Sequence, residues 1–80
     1  MVSGGQLRAA RGLLGLSQAD LAKSAGLSIP TIKRAEGEGQ IKISDEARAA
    51  IQHALEKAGV IFVEENGEGP GVRLRKAKRK

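Results

Sequence analysis

Apolar residues recur at helical spacing in four stretches of this chain, a pattern that predicts four short helices. The first helix begins after Ser3, which forms a capping box with Gln6 three residues later, and it ends at Gly15. The last helix begins after Ser44 and ends at Gly59. The apolar faces of these two helices are predicted to line the core with Leu7, Ala10, Leu14, Ala47, Ile51, Ala54, Leu55 and Ala58.

The segment 16–36 between these helices is predicted to form two further helices joined by a tight turn. Ser17 marks the start of the first, because its hydroxyl can accept a hydrogen bond from a free backbone N–H group. Gly26 can adopt the left-handed conformation that ends a helix, Ser28 provides the next N-cap, and Pro30 lies in a first turn, where a missing N–H group costs little. Since the second helix begins within about three residues of the end of the first, the pattern is typical of a helix-turn-helix unit.

The second of these helices has two distinct faces. At about 100° per residue, Ile32 and Ala35 lie on one side and are predicted to pack inward. The residues on the opposite side are Ile29, Pro30, Lys33 and Arg34. A solvated helix face is the simplest interpretation of the two cations among them. Their position directly after a helix-turn pattern favours contact with a nucleic acid instead.

A β-hairpin is predicted after the fourth helix. Residues 60–63 are β-branched or aromatic, a loop rich in glycine follows, and residues 72–75 alternate apolar and basic side chains. A two-stranded hairpin alone is marginally stable in water, so the first strand needs burial against the helices or against a second copy of the chain. The predicted fold is therefore mainly α: one four-helix domain over residues 1–75, with the motif at 17–36, the hairpin at 60–75 and a basic, disordered tail at 76–80.

Composition narrows the class of protein. The 80 residues make one small domain, too small for an enzyme cleft in addition to its scaffold. With one Phe, no Trp and no Tyr, the chain lacks the aromatic platforms that stack single-stranded nucleic acids. The absence of Cys excludes disulfides and thiolate metal sites, and His53 is predicted to be a surface residue. No set of residues combines a nucleophile, a base and an orienting partner, so we expect neither an enzyme nor a cofactor or metal site.

The net charge of +5 is unevenly distributed along the chain. Residues 1–43 carry six basic and three acidic side chains, residues 44–72 two basic and six acidic ones, and residues 73–80 six basic and no acidic ones. This division fits a DNA-facing surface, an acidic opposite surface and a cationic tail. Without a signal peptide, a lipidation motif or a long apolar run, the protein is expected in the cytoplasm and not in a membrane.

The motif resembles one known family in detail. The stretch GLSQADLAKSAGLSIPTIKRAEG, residues 15–37, is similar to the lambda-repressor and Cro-like helix-turn-helix family, also called the XRE family. In that family a Gln follows the N-cap of the first motif helix, and a Glu-Gly pair closes the second, the recognition helix. The resemblance covers roughly residues 6–58, and the agreeing positions are Arg11, Leu16, Gln18, Leu21, Ala22, Gly26, Ile32, Glu36 and Gly37.

An ion pair is predicted between the first helix and the recognition helix. Arg11 lies on an apolar stripe, and a partly buried cation without a partner costs several kcal/mol, of order 3–5. Glu36 is the best candidate partner because it ends the recognition helix, and the resemblance implies the same pair. The alternative is that each side chain is simply solvated.

The resemblance implies that the recognition helix enters the major groove of double-stranded DNA. Lys33 and Arg34 would donate to guanine edges, Ile29 and Pro30 would contact thymine methyl groups, and Thr31 would contact either a base or a phosphate. Gln18 and the backbone of residues 37–42 would hold phosphates. The candidate DNA-binding residues are Ser17, Gln18, Ser28, Ile29, Pro30, Thr31, Lys33, Arg34, Gly37 and Lys42.

These patterns predict a sequence-specific DNA-binding transcriptional regulator that acts as a homodimer. Cro-like proteins dimerise partly through a C-terminal strand, and the residues expected in that contact are Val60, Ile61, Phe62 and Val63. The alternative is a monomer whose hairpin only caps the core. Two other functions stay open. One is a protein-interaction module, such as an antitoxin or adaptor, that binds its partner through the acidic second half. The other is a nonspecific nucleoid binder that acts mainly through its tail.

Overall fold

The computed structural model describes residues 2–37, 42–64, 67 and 69–75, and it has four helices followed by an antiparallel hairpin. The elements are α1 (Gly4–Leu14), α2 (Gln18–Ala25), α3 (Ile29–Glu36), α4 (Asp45–Ala58), β1 (Val60–Val63) and β2 (Gly71–Leu74). The predicted mainly α class with a C-terminal hairpin is confirmed. The second strand lies one residue earlier than its predicted position. Within the described ranges, no helix has the length and apolar character needed to cross a membrane.

Each helix begins after the serine that the sequence indicates. The hydroxyl oxygens of Ser3, Ser17, Ser28 and Ser44 each accept a hydrogen bond from the backbone N–H group three residues later, at 2.9–3.2 Å. Gly15 and Gly26 end α1 and α2 with φ angles of 70° and 72°. Local chemistry therefore sets where all four helices begin and where α1 and α2 end.

The core is built from aliphatic side chains of all four helices and β1. Ile32 and Ala35 face inward on α3, as their helical positions predict, and Leu55 is fully buried on α4. Ala58, predicted on that same face, is exposed at the end of the helix. The buried apolar residues are Val2, Leu7, Ala10, Leu21, Ala22, Ile32, Ala35, Ile51, Leu55 and Val60.

The hairpin covers this core with one of its two faces. Val60 is buried, and Phe62 and its cross-strand partner Val72 pack against the core. Because side chains alternate along a strand, Ile61 and Val63 lie on the opposite face, where both are half-buried. The first strand thus has one face engaged within the chain and one turned away from the core.

Gln6 attaches the hairpin to α1. Its side chain is buried, and its Nε2 donates to the carbonyl oxygens of Val63 at 3.3 Å and Gly71 at 2.8 Å. Its Oε1 accepts from the backbone N–H of Ser3 at 2.9 Å, which completes the predicted capping box. One amide therefore caps α1 and also holds both strands at the loop end of the hairpin.

Candidate nucleic-acid interface

The outward face of α3 is the exposed surface that the helical pattern predicts. Lys33, Arg34 and Pro30 are exposed, and Ile29 retains 40% of its accessible surface. Neither cation has an ion-pair partner in the part of the chain that the structure describes. The face therefore presents two unpaired cationic groups beside two apolar side chains, on a helix whose other side is fixed in the core.

The N-terminus of α3 is held by two hydroxyl groups. Ser28 Oγ accepts from the backbone N–H of Thr31 at 3.2 Å and also forms a hydrogen bond with Thr31 Oγ1 at 2.9 Å. Both residues are candidate DNA contacts, and the structure brings them together. The hydrogen bonds between them fix the start of α3.

A similar cap starts α2. Asp20 Oδ2 accepts from the backbone N–H of Ser17 at 3.0 Å, while Ser17 Oγ accepts from the N–H of Asp20 at 2.9 Å. The hydrogen bonds from the Ser17 backbone and side chain hold the pKa of the Asp20 carboxyl below its usual value. The ionised carboxylate suits the positive end of the helix.

A two-bond ion pair joins α1 to the end of α3. Arg11 Nε donates to Glu36 Oε2 at 2.7 Å, and Arg11 Nη2 donates to Glu36 Oε1 at 3.0 Å. The Glu36 side chain is only 4% exposed and that of Arg11 is 20% exposed. The hydrogen bond to Glu36 raises the pKa of Arg11 above its usual value despite the opposing effect of burial. The arginine also donates from Nη1 to the carbonyl oxygen of Leu16 at 3.0 Å, which fixes the turn before α2.

Gln18 is turned toward the same carboxylate. Its Nε2 donates to Glu36 Oε1 at 3.2 Å, so that oxygen accepts from both Arg11 and Gln18. The sequence assigned Gln18 to a phosphate and missed this bond. A signal was available, because each carboxylate oxygen can accept two hydrogen bonds and a buried one needs more than a single donor. The three side chains tie together α1, the start of α2 and the end of α3.

Gly4 sets how closely α1 approaches the end of α3. A Cβ atom on Gly4 would lie 2.7 Å from the Ala35 carbonyl oxygen and 2.9 Å from that of Gly37. Both distances are shorter than real Cβ contacts, so only glycine fits here. The start of α1 carries free N–H groups and the end of α3 carries free carbonyl groups, so opposite ends of two helix dipoles meet.

The remaining candidates lie around this framework. Gly37 and Lys42 are exposed on either side of residues 38–41. The backbone of residues 38–41, predicted to hold phosphates, lies outside the described residues, as does the predicted tail at 76–80.

Comparison with known families agrees with this geometry. The sequence pattern of the helix-turn-helix family, of the XRE and lambda Cro-like type, matches residues 7–47, just over half of the chain. The matched segment includes most of α1, all of α2 and α3, and the first residues of α4. Comparison with curated proteins gives no significant match.

Proposed function

Because the chain belongs to the helix-turn-helix family of the XRE and lambda Cro-like type, we propose that it is a sequence-specific regulator of transcription that binds double-stranded DNA. The observation that carries this proposal is the outward face of α3, with Lys33 and Arg34 exposed and unpaired within the described chain. In this motif the second helix lies in the major groove, where each type of base pair presents a distinct pattern of hydrogen-bond donors, acceptors and methyl groups.

The four outward side chains have complementary abilities to contact bases. Arg34 presents a planar fork that matches the O6 and N7 acceptors of guanine, whereas Lys33 offers a single mobile ammonium group. Ile29 and Pro30 supply the apolar surface that a thymine methyl group needs. We therefore assign base reading mainly to Arg34.

The flanking candidates suit the phosphate backbone. Lys42 is exposed just beyond residues 38–41 and offers a positive charge, and the exposed Gly37 places no side chain in the way of a close backbone approach. Gln18 has a second N–H group besides the one that it donates to Glu36, and we assign that group to a phosphate. Ser17, Ser28 and Thr31 act mainly through the caps that they form.

Replacing Arg34 with alanine is expected to reduce discrimination at one base position by about 1–3 kcal/mol and to leave the fold intact. A preferred duplex is first selected from random sequences with the unmodified protein. We then measure the affinity of both proteins for this duplex, for each of its single-base variants and for random duplex. The differences give the loss of base discrimination at each position.

The matched control is Lys57→Ala, which removes one positive charge from an exposed position in the last turn of α4. It is expected to leave the base preferences unchanged. If Arg34→Ala weakened binding to selected and random duplexes equally, Arg34 would be a phosphate contact. If no sequence were selected at all, a nonspecific binder with residues 76–80 as its main contact would be the better interpretation.

We also propose that the functional protein is a homodimer and that the outer face of the hairpin forms the contact between the two copies. Val60 and Phe62 already face the core, so the predicted contact narrows to Ile61 and Val63. Both are half-buried apolar residues on the face turned away from the core. A second copy would cover them, and the two-fold symmetry of the contact would relate two recognition helices.

The protein is expected to be a dimer that recognises an inverted repeat with half-site centres about 34–36 Å apart. Ile61→Glu should make it monomeric, because the new carboxylate would be buried in the contact between copies. The hairpin itself should persist, since Arg73 lies directly across the sheet from residue 61. Light scattering of the free proteins and of their complexes with single half-sites measures the oligomeric state.

The matched control for the dimer is Leu74→Glu, since Leu74 is 49% exposed but lies on the other face of the hairpin. This variant should remain dimeric. An unmodified protein that is monomeric in solution and on DNA would refute the dimer and leave the hairpin as a cover for the core.

A protein-interaction module is the second candidate function. A cavity of about 550 Å³ lies between α1, α4 and the hairpin, and Glu56, Glu64 and Phe62 are among its lining residues. Two carboxylates beside an apolar wall favour a basic side chain with an aliphatic stem. If this were the main function, the isolated chain should be unstable without its partner. A purified chain that is stable and selects a defined DNA sequence alone would exclude that interpretation.

A further inference from the structure

One turn of α1 contacts both the recognition helix and the hairpin. Gly4 lies against the backbone carbonyl groups at the end of α3, at distances that leave no room for a side chain. Two residues later, Gln6 donates to the carbonyl oxygens of Val63 in β1 and Gly71 in β2. The proposed recognition helix and the hairpin proposed to contact the second copy are therefore positioned by two residues in one turn of α1.

The other end of the hairpin is held separately. Val60 is buried in the core, and the backbone N–H of Arg75 donates to the Gly59 carbonyl oxygen at 2.7 Å. The Gln6 amide lies at the loop end, just beyond Phe62 and its cross-strand partner. A hairpin with strands of four residues is marginally stable alone and depends on its contacts with the helices. Without the Gln6 bridge, its loop end would be held mainly by the packing of Phe62 and Val72, and the hairpin could turn about its other end.

We propose that Gln6 is a positioning residue that fixes the angle between the hairpin and α3, and thereby sets the half-site spacing that the dimer accepts. This proposal rests on the proposed function, because it takes the hairpin as the contact between copies. In a symmetric dimer, any rotation at the contact moves both recognition helices. A rotation of about 10° displaces a group about 20 Å away by about 3.5 Å, close to the rise of one base pair.

The structure allows the two functions of Gln6 to be separated. Gln6→Glu keeps an oxygen that accepts from the Ser3 N–H, so the capping box remains. It replaces the Nε2 donor with a carboxylate oxygen that would face the carbonyl oxygens of Val63 and Gly71. Ser3→Ala is the matched control, since it removes the other half of the capping box and leaves the bridge to the hairpin in place.

The experiment uses duplexes with two copies of the selected half-site whose spacing is varied by one or two base pairs. The unmodified protein and Ser3→Ala should prefer one spacing by about tenfold or more, whereas Gln6→Glu should prefer it by less than about threefold. Affinity for a single half-site should change by less than about threefold in both variants. Unchanged spacing preference in Gln6→Glu would overturn the proposal.

Hydrogen exchange in the free full-length protein provides a measurement that does not depend on DNA. In Gln6→Glu, the backbone N–H groups of β1 and β2 should exchange about tenfold faster relative to those of α2 and α3. Equal acceleration throughout the chain would reveal only a loss of global stability and would overturn the proposal. If Gln6→Glu does not fold, Gln6→Met serves instead, with Ser3→Ala as the comparison for the lost cap.

Failure of the proposed function has a different signature. An unmodified protein that selects no sequence, or that binds single half-sites only as a monomer, contradicts the dimeric regulator before any Gln6 variant is made. A dimer with a strict spacing preference that Gln6→Glu leaves intact contradicts the role of Gln6 alone.

Discussion

Replacement of Glu36 with alanine is expected to lower the free energy of unfolding by about 3 kcal/mol or more. The carboxylate is buried and accepts two hydrogen bonds from Arg11 and one from Gln18. Its removal leaves a partly buried guanidinium without its counter-charge, which costs more than the pair itself contributes. Urea unfolding followed by circular dichroism at about 222 nm measures the change, since the helices dominate that signal.

Two further variants test whether the loss of stability is due to the charge and the buried position of Glu36. Glu36→Gln keeps an acceptor of similar size without the charge and should lose less stability than Glu36→Ala. Glu56→Ala removes a half-buried glutamate on α4 whose carboxylate accepts from Gln52 in the preceding turn, and it should change stability by about 0.5 kcal/mol or less. A change of that small size in Glu36→Ala would show that the ion pair contributes nothing to the fold.

Gly4→Ala is expected to destabilise the protein by about 1–3 kcal/mol, although alanine favours helices by about 1 kcal/mol over glycine. The added methyl group would meet backbone carbonyl oxygens of Ala35, Glu36 and Gly37 at 2.7–3.0 Å, and these cannot move without shifting α3. The same unfolding measurement applies. The variant should also bind DNA more weakly at temperatures where it is fully folded, because the recognition helix is displaced.

The control for Gly4 lies two turns further along the same helix. A Cβ atom on Gly12 would have no atom within 4 Å beyond the adjacent residues and the backbone of its own helix, so Gly12→Ala should stabilise the protein by about 0.5–1 kcal/mol. The two substitutions are chemically identical and are expected to have opposite signs. If Gly4→Ala were also stabilising, α1 would not be in tight contact with the end of α3.

The features that could be predicted from the sequence depend either on interactions between nearby residues or on a strict physical requirement, such as a partner for a partly buried charge. The serine N-caps and the glycines that end α1 and α2 follow from interactions within three or four residues. The inward direction of Ile32 follows from helical periodicity. The pairing of Arg11 with Glu36 could be predicted although 25 residues separate them, because a cation on an apolar stripe needs a partner, Glu36 ends the recognition helix, and the family resemblance implies the same pair.

Two of the features that were missed depend on distant backbone atoms. Gln6 donates to carbonyl groups 57 and 65 residues away, and every residue carries such a group, so no pattern of residue types marks the partner. The tight fit of Gly4 is likewise set by backbone atoms of α3. Gln18 was assigned to DNA because its type and position suited a phosphate, and the signal for its bond to Glu36, the second hydrogen bond that a buried carboxylate oxygen can accept, was not used.

The cluster that Arg11 and Gln18 form around the buried Glu36 also has a thermodynamic consequence for recognition. Because it joins three helices through side chains that are already ordered, α2 and α3 meet a ligand as one preorganised body. The conformational entropy of arranging the two helices is lost when the chain folds, not when it binds. Association should therefore show only the heat-capacity change of the surface that it buries, and not the greater change that is measured when a segment folds as it binds.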